Sequence, residues 1–270
     1  MMDCRAAFAV GQAGACPFDD AQGTLRQAEG WRSQAPRNLA LVVVLLLLSV
    51  SAAGAAEPQT VTLTAKDGVQ VTGSLFLPEK RPAPAVVLLH MMTRSRHDWD
   101  GAGQKFVEAG VAALAIDFRR SGQPGTDARG NEDLTDLVLD AEAARAYLAS
   151  RPEISAARIG VAGASLGANV AVLVAAADPG VKSLALLSVS LEYRNLRVDP
   201  AIKKFGSRPA LLVASSEDAY ALRSARTMVS MGDGARELRV LSGAGHGSAM
   251  LNKDPDLITA RVDWFLRTLL

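Results

Sequence analysis

Two kinds of apolar pattern divide the chain. From Val61 to Thr64 and from Val69 to Leu77, apolar and polar residues alternate around Lys66-Asp67-Gly68, which predicts a hairpin with one solvated face. After Pro78 the alternation gives way to short continuous apolar runs. These lie at Ala85 to Leu89, Val111 to Ile116, Ile159 to Ala162, Leu184 to Leu187 and Ala210 to Val213, and predict strands buried on both faces. Helical stripes separate them; the clearest joins Leu134, Leu137, Val138, Ala141, Ala144 and Leu148 into one packed face. A last helix opens at Asp254-Pro255, a cap followed by a first-turn proline, and should bury Ile258, Val262, Phe265, Leu266 and Leu269. Strands and helices that alternate in this way predict an α/β fold: a mostly parallel sheet behind an N-terminal antiparallel hairpin, with helices on both faces. In such sheets chemistry collects beyond the C-terminal ends of the strands.

The first 56 residues stand apart from this pattern. Leu39 to Val50 is almost wholly aliphatic and runs into Ser51-Ala52-Ala53-Gly54-Ala55-Ala56, the expected form of a signal-peptide core with a small-residue cleavage region. Residues 1–56 are therefore expected to be an extension plus leader, and 57–270 a single domain exported to the periplasm or the exterior. The alternative is an uncleaved N-terminal anchor, the one case in which a membrane would be a partner. Both cysteines, Cys4 and Cys16, fall in the leader, so neither a disulfide nor a thiol nucleophile is expected after it. Residues 1–56 carry four basic and four acidic side chains, so the remainder keeps the net charge of +1, and no nucleic-acid partner is implied.

The densest chemistry lies at Gly163-Ala164-Ser165-Leu166-Gly167, between the apolar run ending at Ala162 and the Ala/Val-rich stretch Ala168 to Ala177. This reads as a strand, a sharp turn and a helix with a serine at the apex, which exposes a hydroxyl and holds it still for nucleophilic attack. Such a serine needs a base. His246 is the candidate, in the glycine-rich stretch Ser242 to Gly247 directly after the strand pattern Leu238 to Leu241. His97 reads as a loop residue or helix cap. The base needs a carboxylate to fix its tautomer, and Asp218, after the strand starting at Ala210, supplies it. Glu217 and Asp117 are the rival carboxylates; the chain order Ser165, Asp218, His246 suits a hydrolase, whereas Asp117 precedes the serine. An oxyanion hole needs two backbone N–H donors. Leu166 offers one, and the loop His90-Met91-Met92-Thr93 the other, from Met92 or Met91, with His90 shaping that loop.

These residues resemble the α/β-hydrolase superfamily, in particular its compact branch around dienelactone hydrolase and bacterial acetyl-ester hydrolases. The resemblance spans Glu57 to Leu270. It implies the α/β-hydrolase fold, a triad of Ser165, Asp218 and His246, an oxyanion hole from the Leu166 and Met92 N–H groups, and no metal or organic cofactor. Two departures stand out: His90-Met91 replaces the His-Gly that often precedes the oxyanion donor, and Ser165 stands where dienelactone hydrolase has cysteine. Ser190 to Arg208 is too short for a lid domain, so an open pocket is expected, walled by Leu166, Met91 and Met92 and rimmed by Tyr193, Arg194 and Arg197. The expected activity is cleavage of short-acyl carboxylic esters, on a small molecule or a polymer, through an acyl-enzyme. An amidase or peptidase using the same triad, or a catalytically silent binding protein of this fold, is the alternative.

Overall fold

The alternating segments form β1 (Gln59–Thr64) and β2 (Gln70–Phe76), paired antiparallel with Val61 opposite Gly73. The computed structural model describes residues 57–121, 134–254 and 256–270. Expectations for residues 1–56 and for Pro255 lie outside these. Six further strands complete one sheet: β3 (Ala83–Leu89), β4 (Ala112–Ile116), β5 (Ile154–Ala164), β6 (Val181–Leu187), β9 (Ala210–Ser215) and β10 (Arg236–Leu241). Their order is β1-β2-β4-β3-β5-β6-β9-β10, parallel from β4 onward. Between β6 and β9 lies a small antiparallel ribbon of β7 (Glu192–Tyr193) and β8 (Leu196–Arg197). All described residues belong to one compact unit.

Seven helices are described: α1 (Asp100–Glu108), α2 (Leu137–Ser150), α3 (Leu166–Ala177), α4 (Asp199–Phe205), α5 (Ala219–Val229), α6 (Ala249–Lys253) and α7 (Asp256–Leu269). A single 3-10 turn, Arg96–Trp99, leads into α1. The strand period of two explains the two cores. Ala85, Val87 and Leu89 point to the layer holding α2 to α5, while Val86 and Leu88 point to the layer of Trp99, Phe106 and Phe265. Both faces of β3 are thus covered, which is why its sequence shows no alternation.

Strands β5 and β6 begin earlier than their apolar runs predict, at the buried Ile154 and Val181, because exposed positions, Ala156 and Ala157 in β5 and Lys182 in β6, separate these residues from the runs. Helix α7 buries Val262, Phe265 and Leu269 as expected, whereas Ile258 and Leu266 are only partly buried. Its buried stripe contains Leu257, Trp264 and, unexpectedly, Arg261, whose guanidinium stacks 5.2 Å from the Trp99 ring. Beyond the tip of β4, Arg119 is nearly buried and binds two elements at once. Its N–H and Nε each donate to Asp140 of α2 at 2.8 Å, and its Nη1 reaches Asp67 of the hairpin turn at 2.5 Å. Burial holds the Asp140 carboxyl above its usual range, against the opposing pull of that guanidinium. Among the described residues no helix is long and apolar enough to cross a membrane.

Candidate active site

The turn between β5 and α3 places Ser165 at φ 50° and ψ −114°, a conformation that costs a non-glycine residue about 1–3 kcal/mol. The glycines around it make the turn possible by close approach. A Cβ on Gly163 would stand 2.2 Å from the Gly167 carbonyl oxygen, and one on Gly167 would stand 2.3 Å from that of Leu89. The Ser165 N–H donates to Leu187 O at 2.8 Å, tying the apex to β6. Ser165 is partly exposed while its neighbours are buried.

His246 meets Ser165 across this apex. Its Nε2 lies 2.7 Å from Ser165 Oγ, and its Nδ1 lies 2.5 Å from Asp218 Oδ2. With the Nδ1 proton donated to the carboxylate, Nε2 presents a lone pair to the hydroxyl, the tautomer a general base requires. Asp218 is fixed independently, since it caps α5 and its Oδ1 accepts the Ala221 N–H at 3.2 Å.

Two buried serines hold the histidine loop. Ser215 Oγ, at the end of β9, accepts the N–H groups of Ala244 and Glu217, both at 3.2 Å. Ser188 Oγ, just beyond β6, accepts the Gly247 N–H at 2.9 Å. A third buried anchor is Asn169 of α3, whose amide bonds Ser190 and Leu196 and so fastens the segment leading into the β7–β8 ribbon. Nothing in the catalytic pattern pointed to these three. For Asn169 the available signal was an amide within an otherwise aliphatic helix.

Asp117, His97 and His90 are occupied elsewhere. Asp117 accepts the Arg96 N–H at 2.8 Å and forms an ion pair with that guanidinium, while Glu217 is exposed at the rim. His97 is exposed and pairs with Asp100 at 2.9 Å. His90 is buried: its Nε2 accepts the Phe118 N–H at 3.1 Å, so its proton sits on Nδ1 and is donated to Met91 O at 2.7 Å. Burial pushes its pKa below the ordinary imidazole value. The ring therefore clamps the loop after β3 to the loop after β4.

That clamp sets the paths of the two methionines. Met91 sulfur lies beside Gly247, where a Cβ would approach it to 2.8 Å, whereas Met92 sulfur accepts the Tyr193 hydroxyl at 3.4 Å. Tyr193 thus packs on the loop after β3, with the Arg194 guanidinium 5.5 Å from its ring. Arg197 turns instead to Asp199 at 3.2 Å. Glu217, Asp218, Gly245 and His246 line a cleft of about 290 Å³. Among the described residues no group of three or more His, Cys, Asp or Glu could hold a metal ion.

A mostly parallel sheet with an antiparallel opening, a helix on each side, and a serine at the strand-to-helix apex define the α/β-hydrolase fold. Residues 71–254 match the model of the dienelactone hydrolase family, and the chain belongs to that family. It is similar to a Mycobacterium tuberculosis protein named "Putative phosphoribosyl transferase", at 31% identity over 205 residues, covering 73% of this chain and 44% of that protein. The chain thus spans less than half the length of that relative. Among solved structures, it is similar to dienelactone hydrolase from Anabaena variabilis, with a TM-score of 0.64, 21% identity and coverage of 80% of this chain and 100% of that one. It is also similar to a thermostable carboxylesterase from a metagenomic library, with a TM-score of 0.63, 19% identity and coverage of 87% and 96%.

Proposed function

We propose that the protein is a serine hydrolase cleaving short-acyl carboxylic esters, with Ser165 as nucleophile, His246 as general base and acid, and Asp218 orienting the imidazole. The observation that carries this reading is the hydrogen-bonded line from Ser165 Oγ through both nitrogens of His246 to Asp218. Membership of the dienelactone hydrolase family supports hydrolysis as its chemistry.

Ser165 Oγ bonds the ester carbonyl carbon as its proton passes to His246 Nε2, and the carbonyl π pair moves onto oxygen. The N–H groups of Leu166 and Met92 receive that oxyanion. Collapse expels the alkoxide, which takes the proton from the imidazolium and leaves an ester on Ser165. Water, deprotonated by His246, repeats the attack, and the acid departs as Ser165 regains its proton. Leu166, Met91 and Met92 give the acyl side an apolar wall, and the short segment after β6 leaves the site open to esters on large alcohols. The leader expected at residues 39–50 would put this activity outside the cytoplasm.

The test is hydrolysis of p-nitrophenyl acetate, together with covalent labelling by a fluorophosphonate probe. The parent should turn over and be labelled at Ser165, and Ser165→Ala should lose both. Equal turnover by the parent and Ser165→Ala would overturn the assignment, and a folded parent left unlabelled would point to a silent member of the fold.

A further inference from the structure

A second cleft is lined by residues that follow Met92 and His246 in the chain, and nothing in the proposed chemistry uses it. It encloses about 250 Å³ between the 3-10 turn, the start of α1 and helices α6 and α7. Its polar wall is Arg94, His97, Asp98 and Asn252, and its apolar floor includes Leu251 and Ile258.

The charges in this cleft largely cancel. Asp98 accepts from Arg94 Nε at 3.1 Å and also from the Ser248 hydroxyl, while His97 is already engaged with Asp100. A carboxylate in the wall disfavours an anion, and a guanidinium beside it disfavours a cation. Several directed donors and acceptors remain: the terminal nitrogens of Arg94, to which no described residue is bonded, and the exposed amide of Asn252. A polar ring over an apolar floor suits a ligand with hydroxyls at its edge and C–H groups on its face. The volume falls just below the roughly 300 Å³ at which drug-sized pockets begin, which leaves room for one small ring.

The position of the cleft gives it a role. Arg94, His97 and Asp98 lie on the loop that begins with Met91 and Met92, and Ser248 is two residues beyond His246. The two loops that carry the oxyanion donor and the acid–base group therefore also build this cleft. The leaving alcohol must lie on the His246 side, because His246 returns the proton to it.

Building on the esterase reading, we propose that this cleft binds the alcohol portion of the substrate, and that this alcohol is a neutral polyhydroxyl unit, a single sugar or polyol.

The experiment compares two acetates of matched shape on the full chain: methyl 6-O-acetyl-glucopyranoside, and cyclohexylmethyl acetate, which lacks the hydroxyls. The parent should prefer the sugar ester. Asn252→Leu and Arg94→Met should each raise its KM by about tenfold, the loss of roughly one hydrogen bond, and leave p-nitrophenyl acetate turnover unchanged. Equal kcat/KM for both acetates in the parent, or variants that change neither, would overturn the proposal. Binding of methyl glucopyranoside to Ser165→Ala, followed by saturation-transfer NMR, separates the two readings. Signals lost in Ser165→Ala/Asn252→Leu would support the cleft even if no ester were cleaved, whereas no signal in Ser165→Ala would count against the cleft alone.

Discussion

The buried hydroxyl of Ser188 accepts the backbone N–H of Gly247 at 2.9 Å, joining the tip of β6 to the residue after His246. The imidazole thus hangs from the sheet at a second point, independent of its bond to Asp218. Ser188→Ala leaves a buried N–H without an acceptor, which costs about 1–3 kcal/mol. Part of that cost should be relieved by movement of the loop away from Ser165. The expected result is a fall in kcat of about tenfold or more with a small change in KM, because the geometry lost matters most in the transition state. Ser188 also sits at φ 51°, so Ser188→Gly removes backbone strain together with the acceptor. If Ser188→Gly kept full kcat in a p-nitrophenyl acetate assay, the hydrogen bond would not be positioning the base.

Asp218 has two duties that two substitutions can separate. It caps α5 and it orients His246. Asn can still cap a helix, whereas Ala cannot, and loss of a cap costs about 1 kcal/mol. Asp218→Asn should therefore hold its melting temperature while kcat drops by about 10²–10⁴, since the amide cannot support an imidazolium and can favour the wrong tautomer. Asp218→Ala should lose activity and stability together. Thermal unfolding alongside esterase assays reads both, and an Asp218→Asn variant with undiminished kcat would remove this residue from the proposed mechanism.

Much of this architecture was legible in the sequence for a physical reason. Strands covered on both faces cannot carry polar residues, so Ala85 to Leu89 and Ala210 to Val213 are visible as unbroken apolar runs. Ser165 and Asp218 were marked by their place after such runs and His246 by a glycine-rich stretch after the strand pattern Leu238 to Leu241, and the structure brings the three together. Ser188, Ser215 and Asn169 were hidden because the partners through which they hold the site lie 20 or more residues away, Gly247 for Ser188, Ala244 for Ser215 and Ser190 for Asn169, and a lone serine at a strand end has many uses. Arg261 was hidden for another reason. A polar residue within an amphipathic stripe is normally assigned to the wet face, and only the Trp99 ring shows why this one turns inward.

His90 should make the protein sensitive to acid. Its pKa is held below the ordinary imidazole value, chiefly by burial, and its Nε2 must stay unprotonated to accept the Phe118 N–H. The unfolded chain therefore binds this proton more readily than the native state, so stability falls as pH drops through the ordinary imidazole pKa. His90→Leu should be less stable than the parent at pH 7.5, because it leaves the Phe118 N–H buried without an acceptor. It should also lack that acid-dependent loss. Urea unfolding at pH 7.5 and pH 5 checks this: the gap between parent and variant should narrow at the lower pH. A gap that stayed constant would mean His90 does not titrate differently on folding.

Arg261 offers the reverse case, a side chain that costs stability. It is fully buried, and none of its three guanidinium nitrogens meets a hydrogen-bond partner among the described residues. Its stacking on Trp99 returns about 2 kcal/mol, less than the several kcal/mol needed to strip water from a cation. Arg261→Met keeps the length of the side chain and removes the charge, and should raise stability by about 1–3 kcal/mol at pH 7.5. Burial pushes the native pKa down to about 9, from an ordinary guanidinium value far above it. Between those values the unfolded chain holds the extra proton, so the parent gains stability with pH relative to the variant. The advantage of Arg261→Met should therefore shrink above pH 9, by up to about 1.4 kcal/mol per pH unit. Denaturant unfolding of both proteins at pH 7.5 and pH 10.5 measures the change, and a variant less stable than the parent at pH 7.5 would show that the stacked guanidinium contributes more than its desolvation costs.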